Sequence, residues 1–428
     1  MNPQEMTTED LRRALEALRN GVPNRDAVRV LGCGQIQIVD RFRAQLESVP
    51  ESAKIGRQTR GMLVAGDFGS GKSHLLEYLK HLALEANFVC STIVISKETP
   101  LFDPVKLFAT AAEAAMAPNI TGDAIEEIAM QLDTSTHRYG EFFRWADSAE
   151  SGISTLFPAT LLLHERLGSD PERSDQIRSF WAGGALPIAD VRAGMRQIGL
   201  GSTYQLRVTP ARVLPLHRFQ FVSRMFQAAG YSGWVLLIDE VELIARYSRL
   251  QRAKSYAELA RWLGLVESSP NAGLTAVAAI TVDFDAKVLG EIGDRERVAP
   301  LLERRETDEY RLIASRAETG MREIERGSVH LMPPENESLR ETYAVLKRIH
   351  ADAYQWQPAD LPTARTSITR QMRSYVRRWI NEWDLQRLYP GESLDTVETE
   401  LRVDYSESAE LEEESDVSVN EQTGDFRS

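Results

Sequence analysis

Cysteine is nearly absent: only Cys33 and Cys90 occur in 428 residues. That excludes a disulfide framework, and no CxxC pair offers a zinc site. The seven histidines are scattered, without HExxH or paired metal-ligand spacing. No apolar run approaches the roughly 18 to 20 residues that a membrane helix needs; the longest comparable stretch is Trp234 to Ile238. The opening MNPQEMTTEDLRRALEALRN mixes acids and bases where a secretory signal would carry a basic patch and then an apolar core. No membrane association and a reducing cytoplasm are therefore expected. Hydrophobic residues at 43%, charged at 26% and aromatic at 8% are ordinary for a globular chain, which excludes collagenous and wholly disordered classes.

An excess of positive charge is also lacking. The net charge is −13, but Glu392 to Ser428 holds 13 Asp or Glu against Arg402 and Arg427, leaving 50 acidic and 48 basic residues in the first 391. Bulk charge neither demands nor forbids nucleic acid, and residues 391–428 read as an acidic, solvated and mobile tail.

Thr7, with Asp10 three residues on, predicts a helix N-cap, and Leu11, Leu15 and Leu18 follow at helical spacing up to Asn20-Gly21. GVPNRDAVRVLGCG interrupts, then Ile36, Val39, Phe42 and Leu46 resume on one helical face. From Arg60 the texture changes: MLVAG, FVCSTIVIS, WVLLIDE and LTAVAAIT are short continuous apolar runs separated by helical periodicity. Such runs require a parallel sheet covered on both faces, an α/β core. More than 130 residues between the second and third runs are helical in texture, with Phe142, Phe143, Trp145, Phe180 and Trp181 as apolar bulk. After SVHLMPP, Pro333-Pro334 marks the exit from the sheet into a helical unit ending near Leu388.

The sharpest chemical signal is Gly66-Asp67-Phe68-Gly69-Ser70-Gly71-Lys72-Ser73, a complete GxxxxGK(S/T) between a strand and a helix. Glycines let the backbone wrap a phosphate chain and aim N–H groups at it, and the helix that begins beside His74 adds its positive end. Lys72 would reach the β- and γ-phosphates, and the Ser73 hydroxyl would ligate Mg²⁺. Apolar Val235 to Ile238 then deliver Asp239-Glu240 to the end of a strand, where open α/β sheets place ligands. In this Walker B pattern Asp239 would hold Mg²⁺ and Glu240 would orient or deprotonate the attacking water; Glu242 reads as helix surface. No Asn-Lys-x-Asp guanine signature occurs, so ATP is the expected nucleotide.

Other residues have two readings. Thr281, ending the fourth run, sits where a polar residue senses the γ-phosphate, and is equally an ordinary β residue. Arg304 and Arg305 would supply an arginine finger to a neighbouring subunit in a homo-oligomer, or form a surface pair. Arg370, Arg373 and Arg377 share one helical face, with Trp379 and Trp383 on another, so that helix can pack through tryptophan and present arginine to nucleotide from a lid, to DNA phosphates or simply to solvent. Arg246, Arg249, Arg252 and Lys254 follow the third run and read either as a sensor of nucleotide state or as a solvated charge cluster.

With GDFGSGKSHLLEYL, VISKETPLFDP, GWVLLIDEVELI, SYAELARWLG and INEWDLQRLYPG in view, the chain resembles the BrxD-type ATP-binding proteins of BREX bacteriophage-resistance systems. The resemblance implies an α/β P-loop NTPase of AAA+ type, with a parallel central sheet, a helical insertion and a C-terminal helical lid domain. The changes of texture along the chain divide it into a helical segment 1–50, an ATPase core 51–332 with an insertion at about 97–232, a lid at 333–390 and the tail at 391–428. The resemblance implies a role in phage defence beside a helicase-like partner, and the two motifs add the expectation of Mg²⁺-dependent ATP hydrolysis, acting on or with DNA. A non-hydrolysing, nucleotide-gated adaptor is the alternative.

Overall fold

The computed structural model describes residues 6–21, 24–168, 170–266, 271–361, 372–390, 405, 406 and 408. Seven strands form one sheet: β1 Met62–Ala65, β2 Val89–Val94, β3 Ala115–Ala117, β4 Ile120–Thr121, β5 Trp234–Asp239, β6 Leu274–Ile280 and β7 Val329–His330. Their order is β4-β3-β2-β5-β6-β1-β7, and the five from β2 to β7 are parallel. The four apolar runs of the sequence are thus the central strands. Strands β3 and β4 are antiparallel additions at the edge, joined through Pro118 and Asn119, the latter at φ 69°. At three and two residues they are too short to show a period, so this Ala-rich stretch reads as helical.

Alternate residues of each strand enter different cores, as the pleat requires. One face carries Met62, Val64, Cys90, Val235, Leu237, Val277 and Ala279 against α3 (Ile36–Lys54) and α4 (Lys72–Glu85). On α3 the buried stripe is Ile38, Val39, Phe42, Leu46 and Val49, while Ile36 is exposed, so the apolar face starts later than the sequence suggests. The opposite face carries Leu63, Ala65, Val89, Ile93, Leu236, Ile238, Ala276 and Ala278, and merges with the core of the insertion. The link is α11 (Leu214–Ala228): Phe219 stacks on Trp234 of the sheet at 5.3 Å, and Phe221 on Phe157 of α8 (Leu156–Leu167) at 4.7 Å. The insertion therefore shares one core with the sheet.

The helical prelude divides in two. Helices α1 (Thr8–Asn20) and α2 (Arg25–Leu31) join α15 (Asn336–Tyr354) and α16 (Met372–Leu388) around Leu15, Leu18, Val30, Leu346, Ile349, Ile380 and Trp383. Thr7 caps α1 with Asp10 as its capping-box partner, and Gly21 ends it at φ 70°. The first two helices and α15 and α16 thus form one helical unit, whereas α3 belongs to the sheet. No helix among the described residues is long and apolar enough to cross a membrane.

Candidate functional site

Register brings the candidate residues to one edge. Ala65 pairs with Ile280, Ile238 with Ala278, and Val94 with Asp239, so β1, β5 and β6 end together. β6 lies between β1 and β5, so the loop after β1 and the acids after β5 flank the end of a third strand. The Gly66 N–H donates to the Ile280 carbonyl at 3.1 Å, which ties the start of the phosphate loop to that strand end.

The loop has the geometry its glycines predict. Gly69 and Gly71 have φ of 74° and 102°, in the left-handed region that other residues rarely adopt. At Gly66 a Cβ would stand 2.5 Å from Ser70 Oγ, so any side chain there would force the Ser70 hydroxyl to move. Helix α4 starts at Lys72, and its first backbone N–H groups have no partner within the helix, which makes that end a seat for an anion. Lys72 is buried, and its ammonium donates to the loop carbonyls of Gly66 (3.0 Å) and Asp67 (3.4 Å). Ser73 is exposed at the helix start, and Asp239 is buried at the strand end. His74 turns aside: its Nε2 meets the Gly32 carbonyl at 2.8 Å, so that nitrogen is the donor, and burial holds the ring below its ordinary pKa.

The acid pair faces this loop. The Glu240 backbone is in the left-handed region at φ 57°, a strained setting for a non-glycine residue, and its N–H donates to Asp239 Oδ1 at 2.9 Å. Burial raises the pKa of its carboxyl, the Asp239 charge adds to that, and Lys72 and Arg373 pull partly the other way.

Glu242 is not surface. It is buried, and its Oε1 lies 3.6 Å from Lys72 Nζ. Burial dominates its titration and raises its pKa despite the lysine, and its Oε2 has no partner among the described residues. The misreading has a local cause. Val241–Arg246 is a 3₁₀ turn, and its tighter winding brings the second residue after Glu240 back toward the phosphate loop.

The other candidates separate. The Arg373 backbone N–H donates to the Gly69 carbonyl at 3.3 Å, and its guanidinium lies 5.9 Å from the Phe68 ring centroid and bonds the Gly21 carbonyl. The N-terminal end of α16 is thereby fastened to the phosphate loop. Arg370 lies outside the described residues. Arg304 and Arg305 are exposed beyond α13 (Asp294–Glu303); Arg305 bonds Tyr310, and among the described residues neither arginine meets the loop. The cluster after β5 is not uniformly solvated. Arg252 is fully buried, held by Asp294 through Nε (2.6 Å) and Nη2 (2.8 Å) and by the Tyr247 carbonyl, so it is a structural joint between α12 (Arg249–Trp262) and α13. Most of the acidic tail lies outside the described residues, but Tyr405 is buried and its hydroxyl is 2.7 Å from Thr281 Oγ1, a contact that a solvated, mobile tail would not make.

Fold and loop together define a P-loop-NTPase-like α/β protein. The family model described as BREX system ATP-binding protein BrxC/D matches residues 6–129 and 214–385, and the chain belongs to that family, the ATP-binding components of BREX phage defence. The matched segments include the phosphate loop, β5, β6 and Arg373, and exclude the helices between residues 130 and 213. Comparison with curated proteins and with solved structures finds no match.

Proposed function

We propose that this protein binds ATP in the 66–73 loop and hydrolyses it, as an AAA+-type component of a BREX complex acting on DNA with a helicase-like partner. One observation carries the reading: Glu240 and Glu242, beyond β5, lie within the electrostatic reach of Lys72 of the phosphate loop, with Glu242 in direct contact. Lys72 would exchange its two loop carbonyls for the β- and γ-phosphates, and Glu242 would retain the lysine in the site when nucleotide leaves. Glu240, its pKa raised by burial, would accept a proton from the attacking water.

The donors suit Mg²⁺. Ser73 and Asp239 are hard oxygen ligands, the kind that Mg²⁺ takes in ones and twos beside phosphates and water. When bound, Mg²⁺ would neutralise charge on the phosphates. The helical unit of α1, α2, α15 and α16 would act as the lid, a role supported by the fastening of Arg373 to the loop. Arg304 and Arg305, exposed, would be open to a neighbouring subunit.

A DNA contact finds support in the insertion. Residues 191–238 contain no Asp or Glu, and four of their arginines, Arg192, Arg196, Arg207 and Arg212, are exposed and meet no carboxylate among the described residues. The test of the whole reading is Glu240→Gln: nucleotide affinity should persist while turnover falls by about 10²-fold or more. Full turnover in that variant would remove the assignment of the base.

A further inference from the structure

The Thr281 hydroxyl is already engaged. It lies 2.7 Å from the Tyr405 hydroxyl, and Tyr405 donates in turn to Asp283 Oδ1 at 2.6 Å. Following the protons fixes the direction of this relay. Burial alone would raise the Asp283 pKa, but Lys287 and Tyr405, which both donate to it, outweigh burial and hold the group below its ordinary value. Asp283 is therefore ionised and only accepts. Tyr405 gives it the single phenolic proton, so the contact between the two hydroxyls must use the proton of Thr281.

Three further contacts set Tyr405 in place. Its ring meets Phe284 edge-on at 6.2 Å, the Lys287 ammonium lies 5.1 Å from its centroid, and the nearby Ser408 N–H donates to the Arg246 carbonyl at 3.0 Å. Arg246 closes the 3₁₀ turn that carries Glu242, and the Glu242 charge acts on the Tyr405 hydroxyl. Thr281 follows Ile280, whose carbonyl anchors the phosphate loop. Tyr405 therefore touches the strand end nearest the loop and lies close to the lysine's own carboxylate.

We propose that Tyr405 is a positioning residue for Thr281, holding the proton with which Thr281 would meet a γ-phosphate, so that ATP must displace this contact whereas ADP need not. The inference rests on the nucleotide site described above and adds its regulation: the Tyr405 hydroxyl lowers the preference for ATP over ADP.

The test is titration of the full-length chain with fluorescent ATP and ADP analogues in the presence of Mg²⁺. Tyr405→Phe keeps the ring against Phe284 and Lys287 and removes only the hydroxyl. It should raise the ratio of ATP to ADP affinity by about tenfold, the order of one charge-assisted hydrogen bond. Asp283→Ala should move the ratio the same way, because Tyr405 could then donate to Thr281 and release its proton, and this variant serves should Tyr405→Phe fold poorly. In a Thr281→Val background Tyr405→Phe should have no further effect. An unchanged or lowered ratio, or a rise that persists without the Thr281 hydroxyl, overturns the inference while leaving the nucleotide site intact. Absence of binding of either nucleotide to the unmodified chain would overturn the site assignment, and the inference with it.

Discussion

At the scale of single residues, the site combines a lysine bound to its own loop with carboxyls whose pKa values burial has raised. Lys72→Ala should abolish ATP binding, measured by fluorescence titration, because the Lys72 ammonium lies inside the loop, on the Gly66 and Asp67 carbonyls, where the phosphates would meet it. The pH dependence has a definite sign. A general base with a raised pKa loses activity as pH falls through that raised value, so the acid limb of kcat/KM should lie above the ordinary carboxylate pKa of about 4.3. Glu240 also carries backbone strain. Glu240→Gly should abolish turnover and yet leave the unfolding midpoint unchanged or raised, since relief of a left-handed non-glycine residue is worth about 1 kcal/mol. The position of Glu240 is legible in the sequence because a carboxylate pair ends an apolar run. That of Glu242 is not, since its contact with Lys72 depends on the 3₁₀ winding after Glu240 and on a lysine that lies 170 positions earlier.

At the scale of elements, a buried ion pair and a buried histidine–aspartate hydrogen bond fasten helices that sequence alone leaves unconnected. Asp294 holds Arg252 and also accepts from Tyr256 at 2.8 Å, with both charged side chains fully buried. Asp294→Ala would strand a buried guanidinium, and the expected loss is roughly 3 to 5 kcal/mol by urea unfolding. In the helical unit, Asp384 of α16 receives His350 Nε2 of α15 at 3.2 Å and Arg19 of α1 at 3.3 Å. The Trp356 indole N–H donates to His350 Nδ1, so the tautomer with its proton on Nε2 is the one in place. Burial would raise the Asp384 pKa, but His350, Arg387 and Arg19 together hold it below the usual value. Its contribution to stability is therefore full above the unfolded value of about 3.9 and is lost as pH falls through the lower folded value. Asp384→Asn should flatten the acid limb of thermal stability below about pH 4.

At the scale of the whole molecule, the question is where a chain of net charge −13 could hold DNA. The face expected from the C-terminal arginines loses Arg373, whose guanidinium bonds the Gly21 carbonyl and lies 5.9 Å from the Phe68 ring centroid. The insertion offers more: Arg192 and Arg196 are one helical turn apart on α10 (Ile188–Gln197), and Arg192 bonds the Leu206 carbonyl beside Arg207. Changing Arg192, Arg196, Arg207 and Arg212 to Ser should abolish DNA retention and leave ATP affinity unaltered. For the unmodified chain the plot of log affinity against log salt should have a slope of about −3 to −4, as expected for four phosphate contacts. Retention unchanged in the fourfold variant would place any DNA contact elsewhere.

The sequence by itself determined the class of the fold, the phosphate loop and its glycines, the acid pair after the third apolar run, and the cap and end of the first helix. Each of these is written in neighbouring residues, where periodicity and spacing are governed by backbone geometry. Only the tertiary structure decided that α1 and α2 belong with the C-terminal helices, that Arg252 is a buried joint, that Glu242 faces Lys72 and that Tyr405 meets Thr281. Those pairings join residues far apart in the chain through burial and strand order, and a linear pattern contains no term for either.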